Sequence, residues 1–448
     1  MKTKFFVIAA LAASALLASC DKDNDRMNPE EEGKATSMKI LMNFPKAPQT
    51  RATSDDNATD AEAKVNTVDV FIYYTSSGSF QSHTKLRAEN LEQVTSSGNY
   101  DLYRSKVDIE TTTGAKSVVA GVNLPQSVVD KIVNKPLSTL TSVAQDLSRS
   151  DLTGTNGFVM FSTEIVKAVF VEEENPIVNN VTLECQRLVA KVTVETADNM
   201  TQDGVPGKLG ALEFAVNNFN TKLFMLQGDA PYFKDPNWAA DSYVASDYDA
   251  LSADYAPILR RVPNDNPNVK TDYTPRYAAE NSSEGKLQKE LTRVTVRSTF
   301  IPDEITVFKN GSNADNGFDT KSNGAASPET FYAVTPLTEP TAYFGKNDYN
   351  IALAYAKGNA ADVLTYVDGV CYWTIFLNKN PLNNTVNRWD VLRNDFYKCN
   401  ITRIVTPGRP TPETPKPEEK PDGVEINITA GIEILHWHTP ITSNYTLE

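Results

Sequence analysis

Apolar and polar residues alternate with a period of two along most of this chain, the spacing that turns one face of a β-strand toward a core and the other toward water. Met38, Ile40, Met42 and Phe44 share one face of an expected strand from Ser37 to Phe44. A second runs from Val68 to Tyr74, rich in the β-branched and aromatic residues that suit pleated backbone. Further strands are expected at Ser117 to Val122, Phe158 to Phe161, Thr182 to Val194 and Leu291 to Phe300. Phe331 to Val334, Val370 to Leu377 and Phe396 to Val405 complete the set. Turn signals such as Ser77-Gly78, Asp368-Gly369 and Pro407-Gly408 punctuate them. Helical spacing is confined to short stretches, Gln126 to Ile132 and Ser142 to Leu147. Many strands without alternating helices predict an all-β chain of two antiparallel β-sandwiches. Phe71, Tyr73, Val189, Val192, Trp373, Ile375 and Phe396 are the expected core.

Breaks in the pattern divide the chain. The acidic stretch Glu172 to Asn180 predicts a boundary between a first sandwich, residues 52–180, and a second, 181–405. Residues 406–423 are proline-rich (TPGRPTPETPKPEEKPD from Thr406 to Asp422) and predict an extended, semi-rigid spacer. Within the final segment, 424–448, Val424, Ile426, Ile428, Ala430, Ile432 and Ile434 fall on one face and polar residues on the other. An isolated strand of this kind is unstable in water. The spacer permits it to fold back onto its own domain or to join the open edge of another copy. Asp229 to Asn281 predicts a long elaborated loop holding Tyr232, Phe233, Trp238, Tyr243, Tyr248 and Tyr255. These rings either pin the loop to the second sandwich, the favoured reading, or stack on a host sugar.

The N-terminus carries Lys2 and Lys4, an apolar run from Phe5 to Leu17, and Leu17-Ala18-Ser19-Cys20. That run is short for a membrane helix and reads as a lipoprotein signal peptide, residues 1–20, with Cys20 as the lipidated residue. Attachment to a membrane is expected only through that lipid. The acidic segment behind it has too little apolar surface to fold. With 43 basic and 57 acidic residues, a net charge of −14 and no basic block, nucleic acid is excluded as a partner.

Catalytic chemistry finds no foothold. The chain has no phosphate loop, GxSxG or HExxH. His436 and His438 face one way on a strand, but no third ligand lies nearby in sequence, so neither metal nor cofactor is expected. Cys185, Cys371 and Cys399 lie in apolar strands and read as buried thiols, with a Cys371–Cys399 bridge the less favoured alternative.

Distributed motifs resemble the Bacteroidales fimbrillins, the shaft subunits of type V pili, and especially their short-fimbria major subunits. The resemblance rests on the lipobox at Cys20 and on an early strand followed by Arg51-Ala52. It continues through Lys116 to Pro125 (KSVVAGVNLP), Phe158-Val159-Met160 and Cys185 to Val192 (CQRLVAKV). Val391 to Lys398 (VLRNDFYK), the proline spacer and the terminal strand complete it. Residues 231–290 match no pattern of the family. The resemblance implies transthyretin-like sandwiches and a lipidated precursor in the outer membrane. A trypsin-like, arginine-specific protease would cut it after Arg51, making Ala52 the new end and removing residues 21–51. Met38, Ile40, Met42 and Phe44 would then mark the removed strand. Val424, Ile426, Ile428, Ala430, Ile432 and Ile434 would mark the donor that fills another subunit's groove. Implied partners are further copies of the chain, tip and anchor pilins, and a host glycan or protein. A different reading is a glycan-binding lipoprotein that stays anchored through Cys20.

Overall fold

The computed structural model describes residues 33–45, 60–97, 100–172, 179–202, 206–227, 235–237, 244–249, 251–260, 274–311, 317–336, 340–377, 389–420 and 428–436. Cys20, Arg51, Ala52, Val424 and Ile426 lie outside them, as do Tyr232, Phe233, Trp238, Tyr243, Trp437 and His438. Among the described residues the chain is mostly β-strand, with five short helices, the longest Tyr349–Gly358.

Ten strands form the first sheet. Its order is Phe80–Arg87, Thr67–Tyr74, Gly114–Val122, Met160–Ser162, Asn180–Arg187, Ala35–Pro45, Tyr100–Ser105 and Leu91–Ser97. Val166–Phe170 adds beside Gly114–Val122, and Ile109–Thr112 beside Ala35–Pro45. The two end strands, Phe80–Arg87 and Leu91–Ser97, are joined by Ala88–Asn90 alone. So short a link forces the sheet to fold over until its two ends meet. Inside lies a core that includes Met38, Ile40, Met42, Val70, Val118, Ile109 and Leu183.

The second unit is built on Val189–Gln202, paired with Asp395–Ile404, Arg276–Ala279 and Leu259–Arg260. Another sheet centres on Arg293–Pro302, flanked by Glu213–Asn217 and Val370–Phe376. Val192, Val194, Phe214, Val294, Val296 and Trp373 pack together in one core. A third core takes Phe71 and Tyr73 from the first sheet and Val189 and Phe396 from the second unit, so apolar packing joins the two. All seven expected core residues are buried.

Several expectations need correction. Not every pairing is antiparallel: Ala35–Pro45 runs parallel to Asn180–Arg187, and Val189–Gln202 parallel to Asp395–Ile404. Tight turns dictate the direction of successive strands, but these partners are far apart in sequence and no turn constrains them. The boundary falls at Leu188 rather than at residue 180, because Asn180–Arg187 pairs with Ala35–Pro45 and Met160–Ser162 and so completes the first sheet. Gln126–Ile132 is the expected helix. Ser142 to Leu147 is not, since a turn at Thr139–Ser142 leads into Gln145–Asp146, which pairs with Lys222–Leu223.

The proline-rich segment is docked rather than held away, over its described part to residue 420. The Trp373 indole donates to the Thr406 carbonyl at 3.0 Å, and Tyr372 and Arg409 exchange backbone bonds at 2.8 and 2.7 Å. The Gln288 and Lys289 amides donate to the carbonyls of Glu419 and Pro417 at 2.9 and 3.3 Å. Proline removes donors but leaves its carbonyls free to accept, so a strap of this composition can still be bonded from one side. Gly408 has φ +74, and a Cβ there would meet the Tyr372 carbonyl oxygen at 2.4 Å.

Candidate functional site

The first strand, Ala35–Pro45, enters the fold between strands that come from much later in the chain. On one edge Lys39 to Asn43 run parallel to Asn180 to Glu184. Its other edge changes partner midway: Ala35 to Met38 pair with Ile109–Thr112, and Leu41 to Pro45 with Tyr100–Ser105. At the changeover the Ile40 amide donates to the Ser105 hydroxyl at 3.1 Å. Asn179 seals the start of the parallel edge, its amide nitrogen donating to the Ser37 and Val171 carbonyls, each at 3.0 Å. The Lys39 amide in turn donates to the Asn179 carbonyl at 3.0 Å.

Met38, Ile40 and Met42 are each 0% exposed, the alternation read from sequence realised as burial. Leu41, on the opposite face, is also buried. Burying each such side chain contributes about 1.5–3 kcal/mol. The Lys34–Glu172 and Lys39–Asp108 ion pairs on the rim are solvated and add about 1 kcal/mol or less each. Hydrophobic burial and two flanking ladders therefore hold this strand. Taken away, it would leave an apolar groove with an open edge on each side.

The groove wall carries two perturbed groups. Burial, and then the neighbouring Glu164, holds the Glu184 carboxyl above its usual range. Burial pushes the Cys185 thiol up to about 12. Cys185, Cys371 and Cys399 are all free and buried, so the Cys371–Cys399 bridge does not form here.

The terminal strand, Ile428–His436, lies in a different sheet from the first strand. It pairs antiparallel with Asp395–Ile404, Ile432 opposite Cys399 and Ile428 opposite Ile404. Among the described residues it is the outermost strand there, with one neighbour against the two flanks of Ala35–Pro45. The strand thus folds back onto its own domain, one of the two arrangements the spacer permitted. The edge it covers explains this, since Asp395–Ile404 would otherwise expose a row of backbone groups. Sequence reading missed Asn179 and Ser105, single polar residues whose only signal was their position beside strands.

Within the aromatic-rich loop, Tyr248 is buried, and the Arg297 guanidinium lies 3.9 Å from the Tyr255 ring centroid. The Asp235 side chain is 0% exposed and pairs with Lys286 at 3.3 Å. These contacts pin that part of the loop to the second unit.

Two family models match the chain. Major fimbrial subunit protein (FimA) covers residues 36–218, starting within the first strand. Major fimbrial subunit protein type IV, Fimbrillin, C-terminal covers residues 364–441, through the terminal strand. No curated protein matches. Among solved structures, a candidate cell adhesion protein of Parabacteroides distasonis is 12% identical, over 92% of this chain and 99% of its own, with a TM-score of 0.49. A fimbrial assembly protein of the same species is 10% identical over 82% and 91%, TM-score 0.38. The tip fimbrial protein Mfa3 of Porphyromonas gingivalis, truncated at its C-terminus, is 16% identical over 90% and 100%, TM-score 0.39.

Proposed function

We propose, for a chain that belongs to the fimbrillin family of major fimbrial subunit proteins, that assembly exchanges its own first strand for the terminal strand of another copy. Family membership makes it a non-enzymatic structural subunit of a cell-surface pilus, working in adhesion. The precursor is lipidated at Cys20 and carried to the outer membrane. An arginine-specific protease cuts between Arg51 and Ala52, which lie in sequence between the end of the first strand and Asp60. The lipid, carried on Cys20, leaves with the segment that ends at Arg51, and the groove opens.

One observation carries this reading: the first described strand, with Met38, Ile40 and Met42 fully buried and both its edges flanked, precedes the candidate cut. The donor pattern supports it. Ile428, Ala430, Ile432 and Ile434 repeat the spacing of Met38, Ile40, Met42 and Phe44, with Val424 and Ile426 extending it. As an edge strand, the donor breaks one ladder to leave its sheet, whereas the first strand gives up two. Tip and anchor pilins share the fibre on this reading, and any host glycan or protein meets its exposed surface.

The test is Arg51→Ala, expressed in the native cell. The variant should accumulate as a lipidated, unpolymerised precursor. Normal fibres from it would overturn maturation at this bond.

A further inference from the structure

The first described element after the proposed cut is one helical turn, Asp60–Ala63, and it holds a fully buried carboxylate. Buried glutamates are rare unless paired, and Glu62 is paired from several sides. The Lys191 ammonium lies 3.2 Å from it, and the Tyr277 hydroxyl donates to it at 2.6 Å. The Arg187 guanidinium donates to the Glu62 backbone carbonyl at 2.8 Å. Arg187 belongs to the last strand of the first sheet, Lys191 and Tyr277 to adjacent strands of the second unit. One short turn is therefore stitched to both units.

The backbone on either side is tied as well. The Phe158 amide donates to the Ala61 carbonyl at 3.2 Å, and the Asn123 side-chain amide donates to the Lys64 carbonyl at 2.7 Å. Asn123 also accepts the Asn66 amide at 2.9 Å. Gly157 (φ +106) packs against this point, where a Cβ would come within 2.6 Å of the Lys64 carbonyl oxygen. Lys64 nonetheless keeps an exposed side chain. Three basic residues lie between the first strand and Val65: Lys46, Arg51 and Lys64. A protease needs a stretch of free backbone around the bond it cuts, so hydrogen bonding of the chain, not exposure of the side chain, decides access.

We propose that the Glu62 turn is a processing stop: it shields the Lys64–Val65 bond, confines cleavage to positions before Asp60, and keeps the new N-terminal segment fastened at the seam when the first strand leaves. The inference rests on proteolytic maturation as proposed above. Its consequence is concrete. A cut after Lys64 would carry Glu62 away from the Lys191 ammonium in the interior.

The test is timed digestion of the purified full chain with trypsin, which accepts lysine and arginine, read by N-terminal sequencing. New ends should follow Lys46 or Arg51, with none after Lys64 while the protein stays folded. Arg51→Ala combined with Asn57→Arg should move the end to follow position 57. Glu62→Ala should raise cleavage after Lys64 at least about tenfold, because cutting tracks the opened population. Gly157→Ala, which strains the same backbone without touching the ion pair, gives an independent measurement and should also expose Lys64. Cutting after Lys64 in the folded native chain as fast as after Arg51 overturns the stop, as does a Lys64 bond still resistant in both variants. An intact Arg51 bond beside a protected Lys64 bond would instead overturn maturation at Arg51 while supporting the stop.

Discussion

Ile40 of the first strand and Val181 stand opposite each other in a parallel pair, both buried in the same core. The first sheet therefore continues across a strand that strand exchange would discard, and this pairing makes the exchange testable through stability.

Ile40→Ala should destabilise the uncut precursor by about 2–5 kcal/mol, measured by urea unfolding. The assembled fibre should keep its resistance to heat, because residue 40 has left it. A fibre weakened by this substitution would mean that the first strand is retained.

Ending the chain at Asp422 should give a folded monomer that cannot form polymers, seen by circular dichroism and size exclusion. Ile432→Asp in the full chain should do the same, since a carboxylate carried into an apolar groove either costs several kcal/mol or must take up a proton. Polymers from the truncated chain sink strand donation. A truncated chain that does not fold assigns the strand permanently to its own domain.

Alkali should weaken the protein through its thiols. Burial pushes Cys185 and Cys399 up to about 12 and raises Cys371 as well, against an ordinary value of 9.0. Above 9.0 the unfolded chain releases these protons while the folded one keeps them, so stability is complete below that pH and falls as pH rises. Each thiol should remove about 1.4 kcal/mol per pH unit in that window. Cys185→Ala should flatten the slope of unfolding free energy against pH, and an unchanged slope would refute the assignment.

Lys191→Met should cost about 3–5 kcal/mol, because Glu62 is left charged and buried. The double variant Lys191→Met with Glu62→Leu should recover most of that loss, as paired charges replaced by apolar groups of similar volume are close to neutral. A double-mutant cycle by thermal unfolding checks it, and additive losses would argue that the two side chains act independently.

Much of this protein was legible in its sequence because period-two alternation is a local property. Met38, Ile40 and Met42 announced a strand with one apolar face, and all three are buried, although Leu41 on the other face is buried too. Gln126–Ile132 was equally plain, since its helical spacing lies within one short stretch. Partner choice is not local. Nothing in Ala35–Pro45 names Asn180–Arg187 as its parallel neighbour, and nothing in the proline-rich segment names Gln288 and Trp373 as its anchors. The Glu62 turn is the clearest case. A glutamate in a short polar stretch reads as solvated surface, and only the convergence of Arg187, Lys191 and Tyr277 makes it a buried anchor. Sequence by itself determined which faces must leave water, because hydrophobicity belongs to each residue. Tertiary structure alone decided which edges and charges would meet, because that depends on chain closure between distant segments.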